Sequence, residues 1–256
     1  MTFLFKILYI IYSINSFFNR KVFIKKINSA DLVLDVGSGD KPLWRADVIV
    51  DKYLDDDQQR HSGAMVYDKR KIFIEADVEN LPFKDKVFDF VFCAHLLEHV
   101  ENPDKAIKEL TRVAKRGYIE VPYAIVDLLK PFPPHLWFCD YKDDILFFKQ
   151  KEKTRNFFLE HTEKFGKVIF NNAYFQYLLA KYIDAVFIRL YWEKTVRYKV
   201  IRSEGIPYIY TYQPEIQHDK GISSKFTFLI YKISYVVMSV LFYKTKKIEI
   251  EKLLKK

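Results

Sequence analysis

Val33-Leu34-Asp35-Val36-Gly37-Ser38-Gly39-Asp40 is the stretch that decides the fold. Its first four residues read as a buried strand, which runs into a turn with two glycines one residue apart. Glycine adopts left-handed backbone conformations and lets a ligand approach the main chain closely. The chain has only 7 glycines among 256 residues, so this pairing indicates a backbone requirement. Taken alone, the turn is typical of nucleotide-binding loops in general.

Short apolar runs recur around this turn. Five of them predict buried strands, because they are apolar and rich in β-branched or aromatic residues: 32–36, 48–50, 72–76, 87–93 and 118–121. Residues 103–114 have the composition of a helix, with Asn102 as its N-terminal cap. Alternating strands and helices predict an α/β fold with a doubly wound, mainly parallel sheet.

Acidic residues follow the second and third predicted strands. Asp51 comes directly after the second strand, and Asp77 comes after the third. The carboxyl ends of parallel strands meet at one edge of a sheet, where ligands of such folds bind. There Asp51 can accept hydrogen bonds from two ribose hydroxyls, and Asp77 can accept one from an exocyclic amine.

These features together resemble the class I S-adenosylmethionine-dependent methyltransferases, in particular the type 11 group that includes quinone-ring methyltransferases. The matching motifs follow in the family's order: DVGSG at 35–39, Asp51, ADVENLPF at 76–83, FDFV at 88–91 and LLEHVENP at 96–103. The resemblance covers about residues 31–122. It implies a Rossmann-like methyltransferase fold and S-adenosylmethionine as the cofactor.

The resemblance also assigns the cofactor contacts. It places the methionine part of the cofactor at the glycine turn, the ribose and adenine at the next two strand ends, and the methyl-bearing sulfur at the fourth. The residues concerned are, in that order, Asp35, Gly37 and Gly39; Asp51; Asp77 and Val78; and Ala94 and His95. Asp40-Lys41-Pro42 stands where the family has a third glycine, which predicts a late or malformed first helix.

The implied reaction is an in-line displacement at a sulfonium methyl group. A general base is required only if the acceptor must lose a proton during the attack. His95 and His135 are the predicted catalytic residues. His95 lies nearest the expected methyl group, and His135 lies in a proline- and aromatic-rich segment after the fifth strand. His99, Tyr123 and Asp127 are further candidates for the base.

No metal is predicted. Residues 95–99 spell H-x-x-E-H, a zinc-peptidase signature, but that site needs a long helix presenting both histidines. Here the motif directly follows a predicted strand and is cut short by Pro103. Cys93 and Cys139 lack metal-ligand spacing and indicate a reducing compartment.

The net charge of +9 is unevenly distributed: residues 1–30 carry +5, residues 31–122 carry −5 and residues 123–256 carry +9. A uniformly basic nucleic-acid-binding protein would not have an acidic centre, so nucleic acid is not the predicted partner. The basic flanks still leave an RNA methyltransferase as an alternative.

Both ends of the chain contain amphipathic helical patterns. Residues 1–18 are largely apolar with one polar stripe, and Lys225, Lys232 and Ser239 recur every seven residues in the second segment. Helices packed on the sheet, interfacial membrane helices and a membrane span all fit such patterns. The basic residues beside them favour peripheral membrane contact through residues 1–26 and 225–247. The predicted location is cytoplasmic, at the inner face of a membrane.

The predicted organisation is therefore an N-terminal amphipathic helix (1–30), an S-adenosylmethionine-binding core (31–122) and a basic acceptor-binding region (123–256) that completes the same domain. The last region is predicted as an α+β appendage. It contains a hairpin of residues 135–141 and 145–149, a helix at 170–187, and a second hairpin of residues 188–192 and 196–201.

The predicted function is methyl transfer to a small or lipid-linked acceptor, such as a quinone precursor, a lipid or a glycan. A Rossmann dehydrogenase shares the glycine turn and Asp51, but it lacks the ADVENLPF motif and requires a third glycine. A non-catalytic, cofactor-binding scaffold at a membrane is the remaining alternative.

Overall fold

A computed structural model describes residues 2–54, 66–153, 157–209 and 222–255. The helices are α1 (Thr2–Phe17), α2 (Pro103–Val113), α3 (Ala124–Leu129), α4 (Phe157–Asn171), α5 (Ala173–Lys181), α6 (Ile222–Leu241) and α7 (Ile250–Leu253). The strands are β1 (Val33–Val36), β2 (Val48–Asp51), β3 (Ile72–Glu75), β4 (Phe88–Ala94), β5 (Ala114–Pro122), β6 (Trp137–Lys142), β7 (Ile145–Gln150), β8 (Phe187–Glu193) and β9 (Tyr198–Ile201).

The main sheet has the strand order β3-β2-β1-β4-β5-β8. Its first five strands are parallel, and β8 is antiparallel to β5. The predicted α/β fold with a mainly parallel sheet is confirmed, and all five predicted strands are present. Since β1 lies between β2 and β4, the strand order reverses beside it, which is where ligands bind in open α/β sheets.

The two faces of the sheet are covered differently. On one face, α2 buries Ala106, Ile107, Leu110 and Val113, as its apolar spacing predicts. On the other face, the connection from β1 to β2 contains turns but no helix. The first helix, predicted to be late or malformed, is therefore absent between β1 and β2. The α6 helix reaches this connection, where the Tyr231 hydroxyl donates to Pro42 O at 2.7 Å.

The C-terminal region differs from its prediction in two places. The single helix predicted at 170–187 is wrong, because the Asn172 side chain accepts hydrogen bonds from Tyr174 N and Phe175 N and starts a new helix there. The second predicted hairpin is also wrong. Its first strand, β8, joins the edge of the main sheet at β5, and its second strand, β9, pairs in parallel with β7.

The hairpin of β6 and β7 is confirmed. The two strands are antiparallel, and Asp143 and Asp144 form the turn between them with φ of 52° and 58°. Two left-handed residues are what a tight hairpin turn requires. With β9, this hairpin makes a separate three-stranded sheet of order β6-β7-β9.

The N-terminal helix α1 packs on α5 through aromatic rings. The ring centroids of Phe5 and Tyr174 are 4.8 Å apart, and those of Tyr12 and Tyr177 are 5.5 Å apart. A π-helical turn, Phe18–Val22, continues α1 toward the main sheet.

None of the helices within the described residues is long and apolar enough to cross a membrane.

Candidate functional site

The glycine turn after β1 has the backbone geometry that its sequence predicts. Gly37 and Gly39 have φ of 68° and 56°, the left-handed region. A Cβ atom added to Gly37 would lie 2.6 Å from Leu96 Cδ2, whereas one added to Gly39 would meet no described atom within 4 Å. Between them, the buried Ser38 Oγ has no hydrogen-bond partner among the described residues. Open space beside an unpaired hydroxyl fits a polar ligand at this turn.

Asp51 joins the end of β2 to the glycine turn. Its Oδ2 accepts a hydrogen bond from Gly39 N at 2.8 Å, and its Oδ1 accepts one from Tyr53 N at 3.1 Å. Asp51, predicted to bind the ribose, therefore lies next to Gly39, predicted to bind the methionine part of the cofactor. In this structure its carboxylate is bonded to main-chain amides.

Asp77 caps the short 3₁₀ turn Val78–Asn80 after β3. Its Oδ1 accepts from Glu79 N at 2.9 Å, and its Oδ2 lies 2.8 Å from Lys52 Nζ. Burial favours a raised pKa for Asp77, but the Lys52 and Glu79 hydrogen bonds outweigh it and lower the pKa. Val78 is buried. The predicted adenine contacts thus lie at the strand end next to Asp51.

Asp35 is the buried member of the predicted set. Its Oδ2 accepts a hydrogen bond from Leu43 N at 2.6 Å and holds the irregular connection that follows the glycine turn. Burial raises the pKa of Asp35 to about 6, although the nearby Lys21 ammonium opposes that rise.

His95 lies between two buried carboxylates just beyond Ala94, the last residue of β4. Its Nε2 is 2.9 Å from Glu120 Oε1, its Nδ1 is 3.3 Å from Glu98 Oε1, and its φ is 57°. Burial favours a lower pKa for His95, but the hydrogen bonds to the two carboxylates raise it. With both ring nitrogens facing protein groups, His95 is held in a fixed orientation beside Ala94.

Three residues of this region were not predicted from their sequence pattern: Arg20, Lys21 and Glu120. Arg20 Nε donates to both Glu120 oxygens at 3.0 and 2.9 Å, and the guanidinium lies 4.1 Å from the centroid of Phe187. Lys21 Nζ lies 4.7 Å from the centroid of Phe92. Burial lowers the pKa of Lys21, with Asp35 and Glu120 opposing. Glu120 could have been noticed as the one acid in the predicted strand 118–121.

His135 approaches the same carboxylate oxygen of Glu98 as His95 does. Its Nε2 is 3.9 Å from Glu98 Oε1, and its Nδ1 is 2.8 Å from both oxygens of Asp127. Lys151 Nζ also contacts Asp127 at 3.2 Å. The rings of His135 and His99 are 4.6 Å apart, and burial lowers the pKa of His99 to about 4. The structure therefore joins the two predicted catalytic histidines through Glu98.

Residues 49–119 match the family model described as a methyltransferase domain. The matched segment contains four of the five motifs on which the resemblance was based. The predicted resemblance is confirmed, and such a domain takes S-adenosylmethionine as its methyl donor.

Curated relatives match short parts of the chain. A UbiE ubiquinone/menaquinone biosynthesis C-methyltransferase from Ectopseudomonas oleovorans is 47% identical over 45 residues, which is 18% of this chain and 26% of the relative. A sterol 4-C-methyltransferase from Caenorhabditis elegans is 35% identical over 72 residues, 28% of this chain and 20% of the relative. An uncharacterized protein from Methanocaldococcus jannaschii is 51% identical over 55 residues, 21% and 27% of the two chains. The matches span about a quarter of these relatives.

Solved structures resemble this chain with low TM-scores. A Thermotoga maritima S-adenosylmethionine-dependent methyltransferase, described as a possible histamine N-methyltransferase, has a TM-score of 0.31 and 21% identity, covering 48% of this chain and 55% of its own. A complex of the Haloferax volcanii Trm112 methyltransferase activator with a methyltransferase has a TM-score of 0.41 and 12% identity, covering 75% and 97%. Because these scores are low, the fold assignment rests on the strand order of this chain.

Proposed function

Since residues 49–119 match a methyltransferase domain, we propose that this chain is an S-adenosylmethionine-dependent methyltransferase that acts at a membrane surface. Its acceptor is small or lipid-linked: a quinone precursor, a lipid or a lipid-carried glycan. The observation that carries the activity is the placement of Gly39, Asp51 and Asp77 at the ends of three adjacent strands, β1, β2 and β3.

The residues of this edge have separate tasks in the proposal. S-adenosylmethionine supplies an electrophilic methyl group on a sulfonium. The open side of Gly39 admits the methionine part, and Ser38 Oγ offers it a hydrogen bond. Asp51 exchanges its main-chain hydrogen bonds for ribose hydroxyls, and Asp77 accepts from the adenine. The buried carboxylates Glu98 and Glu120 favour a positive charge near His95.

The acceptor would enter on the side of His95 and His135. His95, held between the carboxylates of Glu98 and Glu120, borders the acceptor and orients it. His135 donates Nδ1–H to Asp127, and this pairing fixes its tautomer and leaves a lone pair on Nε2. These roles of His95 and His135 are proposed for an acceptor that is small or lipid-linked.

The distribution of polar and apolar residues on α6 supports the proposed membrane contact. The face of α6 that turns toward the protein carries Tyr231, Ser234, Tyr235 and Ser239, all buried. Besides Lys232, the exposed residues of α6 are mainly aliphatic: Leu229, Ile233, Val236, Val237, Val240 and Leu241. A helix with its polar side inward and its apolar side outward fits a lipid surface better than water.

The α1 helix adds to the same kind of surface. Phe3, Leu4, Ile7, Ile10 and Ile11 are all exposed. Exposed lysines lie on or close to both helices, at Lys6, Lys232, Lys244 and Lys247. Apolar residues for the acyl boundary and cations for head groups together favour an anionic lipid surface.

Calorimetric titration with S-adenosylmethionine, S-adenosylhomocysteine and NAD tests the cofactor assignment. We expect saturable binding of the first two and no binding of NAD. Failure of the folded protein to bind either sulfur compound would contradict the proposal.

Transfer of a labelled methyl group from S-adenosylmethionine tests the acceptor class. Membrane lipid extracts and total RNA are supplied separately to the protein that binds the cofactor. We expect label in the lipid fraction. Label confined to RNA would instead establish the RNA methyltransferase alternative, and cofactor binding with no transfer to any fraction would favour the scaffold.

A further inference from the structure

Glu98, His99 and His135 form a cluster beyond the cofactor contacts. One ligand atom from each of the three residues lies within 4.8 Å of the others. Glu98 and His99 belong to the turn after β4, and His135 belongs to the segment before β6. These two segments are tied together, since Leu136 N donates to Glu98 O at 2.8 Å and Trp137 Nε1 donates to Val100 O at 2.7 Å. The cluster therefore belongs to a fixed part of the fold.

The hydrogen bonds of both rings determine which nitrogens carry protons. His135 Nδ1 lies 2.8 Å from both oxygens of the buried Asp127, so it donates to them. His99 Nδ1 lies 3.2 Å from the carbonyl oxygen of Pro134, which can only accept. In the neutral rings each Nε2 then has a free lone pair. A carboxylate or a carbonyl oxygen behind each histidine is the usual support of a metal-bound imidazole.

Glu98 supplies a carboxylate oxygen that the protein leaves unpaired. The residue is 0% exposed, and its Oε2 has no hydrogen-bond partner among the residues that the structure describes. Its Oε1 lies 3.3 Å from His95 Nδ1 and 3.9 Å from His135 Nε2. A buried acceptor without a donor is costly and calls for an explanation. One cation could engage an imidazole nitrogen of each histidine and a carboxylate oxygen of Glu98, since one ligand atom of each residue lies within 4.8 Å of the others.

We propose that Glu98, His99 and His135 bind a divalent transition-metal ion such as Zn²⁺ or Mn²⁺. Two imidazole nitrogens and one carboxylate oxygen suit first-row transition metals better than the all-oxygen site that Mg²⁺ prefers. Three protein ligands would leave a coordination position open to water or another ligand. As a ligand, His135 would not act as the general base that the sequence predicts.

This site differs from the zinc-peptidase arrangement that the sequence analysis rejected. That motif pairs His95 with His99 on one helix, whereas here Pro134 and Asp127 support His99 and His135. His95 Nε2 is held instead by Glu120 and contacts Arg20 at 2.7 Å. The expectation of no metal rested on the spacing of residues 95–99, and spacing along the chain did not include His135.

Metal binding is tested on the full chain after treatment with a chelator. ZnCl₂, MnCl₂ and MgCl₂ are titrated separately by calorimetry, and Co²⁺ is added as a probe with visible absorption. We expect one Zn²⁺ or Mn²⁺ per chain, binding at least tenfold tighter than Mg²⁺, and a rise in Tm on addition of the metal. Failure of the folded protein to bind Zn²⁺, Mn²⁺ or Co²⁺ would overturn the proposal.

Variants locate the site independently of enzyme activity. Glu98→Gln, His99→Gln and His135→Gln should each weaken Zn²⁺ binding at least tenfold and change the Co²⁺ spectrum. His161→Gln, an exposed histidine on α4, is the matched control and should bind as the parent does. His95→Gln should retain the metal within about threefold, because His95 is not a ligand. If circular dichroism shows that Glu98→Gln does not fold, the two histidine variants test the site without it. Parental Zn²⁺ affinity in both histidine variants would overturn the proposal.

Discussion

At the residue scale, the two glycines of the turn after β1 have different neighbours. Both have a left-handed backbone, so an alanine at either position carries the strain of that conformation, about 1–2 kcal/mol. Only at Gly37 would the added Cβ also collide with Leu96. Gly39 faces open space, so the same substitution there leaves the protein's own packing intact.

Gly39→Ala should therefore separate cofactor binding from stability. We expect a modest fall in Tm and a loss of S-adenosylmethionine affinity of at least about tenfold, because the methyl group occupies the space that the ligand needs. Gly37→Ala should lower Tm further through its contact with Leu96. Gly205→Ala is the matched control, since its Cβ would make only ordinary contacts. Thermal melting and calorimetry measure both quantities, and parental affinity in Gly39→Ala would place the cofactor elsewhere.

At the element scale, the segment after α1 is joined to the main sheet by the pair of Arg20 and Glu120. Glu120 is 1% exposed on β5, and Arg20 comes from the π-helical turn a hundred residues earlier. Burial favours a raised pKa for Glu120, but Arg20 and His95 outweigh it and hold the pKa well below its ordinary value. The lowered pKa means that ionised Glu120 stabilises the native state, most fully above its ordinary pKa of 4.5.

Arg20→Met should destabilise the protein by about 2–4 kcal/mol at pH 7, because it leaves a buried carboxylate without its main partner. The loss should shrink as the pH falls below the ordinary carboxyl value and Glu120 takes up a proton. The double variant Arg20→Met/Glu120→Gln should recover part of the loss, by about 1–3 kcal/mol. Denaturant unfolding of the two single variants and the double variant measures the coupling; additive effects would show that the pair contributes nothing.

The pair also shows where sequence reasoning ends. The buried strands and the glycine turn were predictable, because apolar runs and glycine spacing are local signals. The contact of Arg20 with Glu120 is not local, and Arg20 in the sequence looks like one more charge of a basic flank. The destination of β8 was missed for the same reason, since its partner at the sheet edge is distant in the chain.

The orientation of α6 also depends on contacts that are distant in the sequence. The heptad spacing of Lys232 and Ser239 places both residues on one side of α6, but Lys232 is exposed and Ser239 is 1% exposed, so a shared side of the helix does not determine burial. Which face of α6 turns inward depends on contacts with the core, such as that of Arg70 with Ser239 O at 3.0 Å. Periodicity gives the faces of a helix, and only tertiary contacts choose between them.

At the scale of the whole molecule, the distribution of acidic and basic segments along the chain fits the proposed membrane contact. The acidic segment 31–122 supplies the site residues of the sheet, and the basic segments carry α1 and α6. Anionic head groups would repel the acidic segment and attract the basic segments on either side of it. The two together would orient the molecule with α1 and α6 toward the lipid.

Sedimentation with vesicles of phosphatidylcholine and phosphatidylglycerol tests this orientation. We expect the full chain to bind these vesicles, with weaker binding at high salt because surface charges are screened. Ile233→Gln/Val240→Gln removes two exposed aliphatic side chains from α6 and should reduce vesicle binding at least about tenfold, given the free energy of burying such side chains. Val168→Gln removes one exposed aliphatic side chain from α4, a helix outside the proposed lipid contact, and should bind as the parent does. If the α4 and α6 variants lose binding equally, exposed apolar area in general drives association; if neither does, α6 does not contact the lipid.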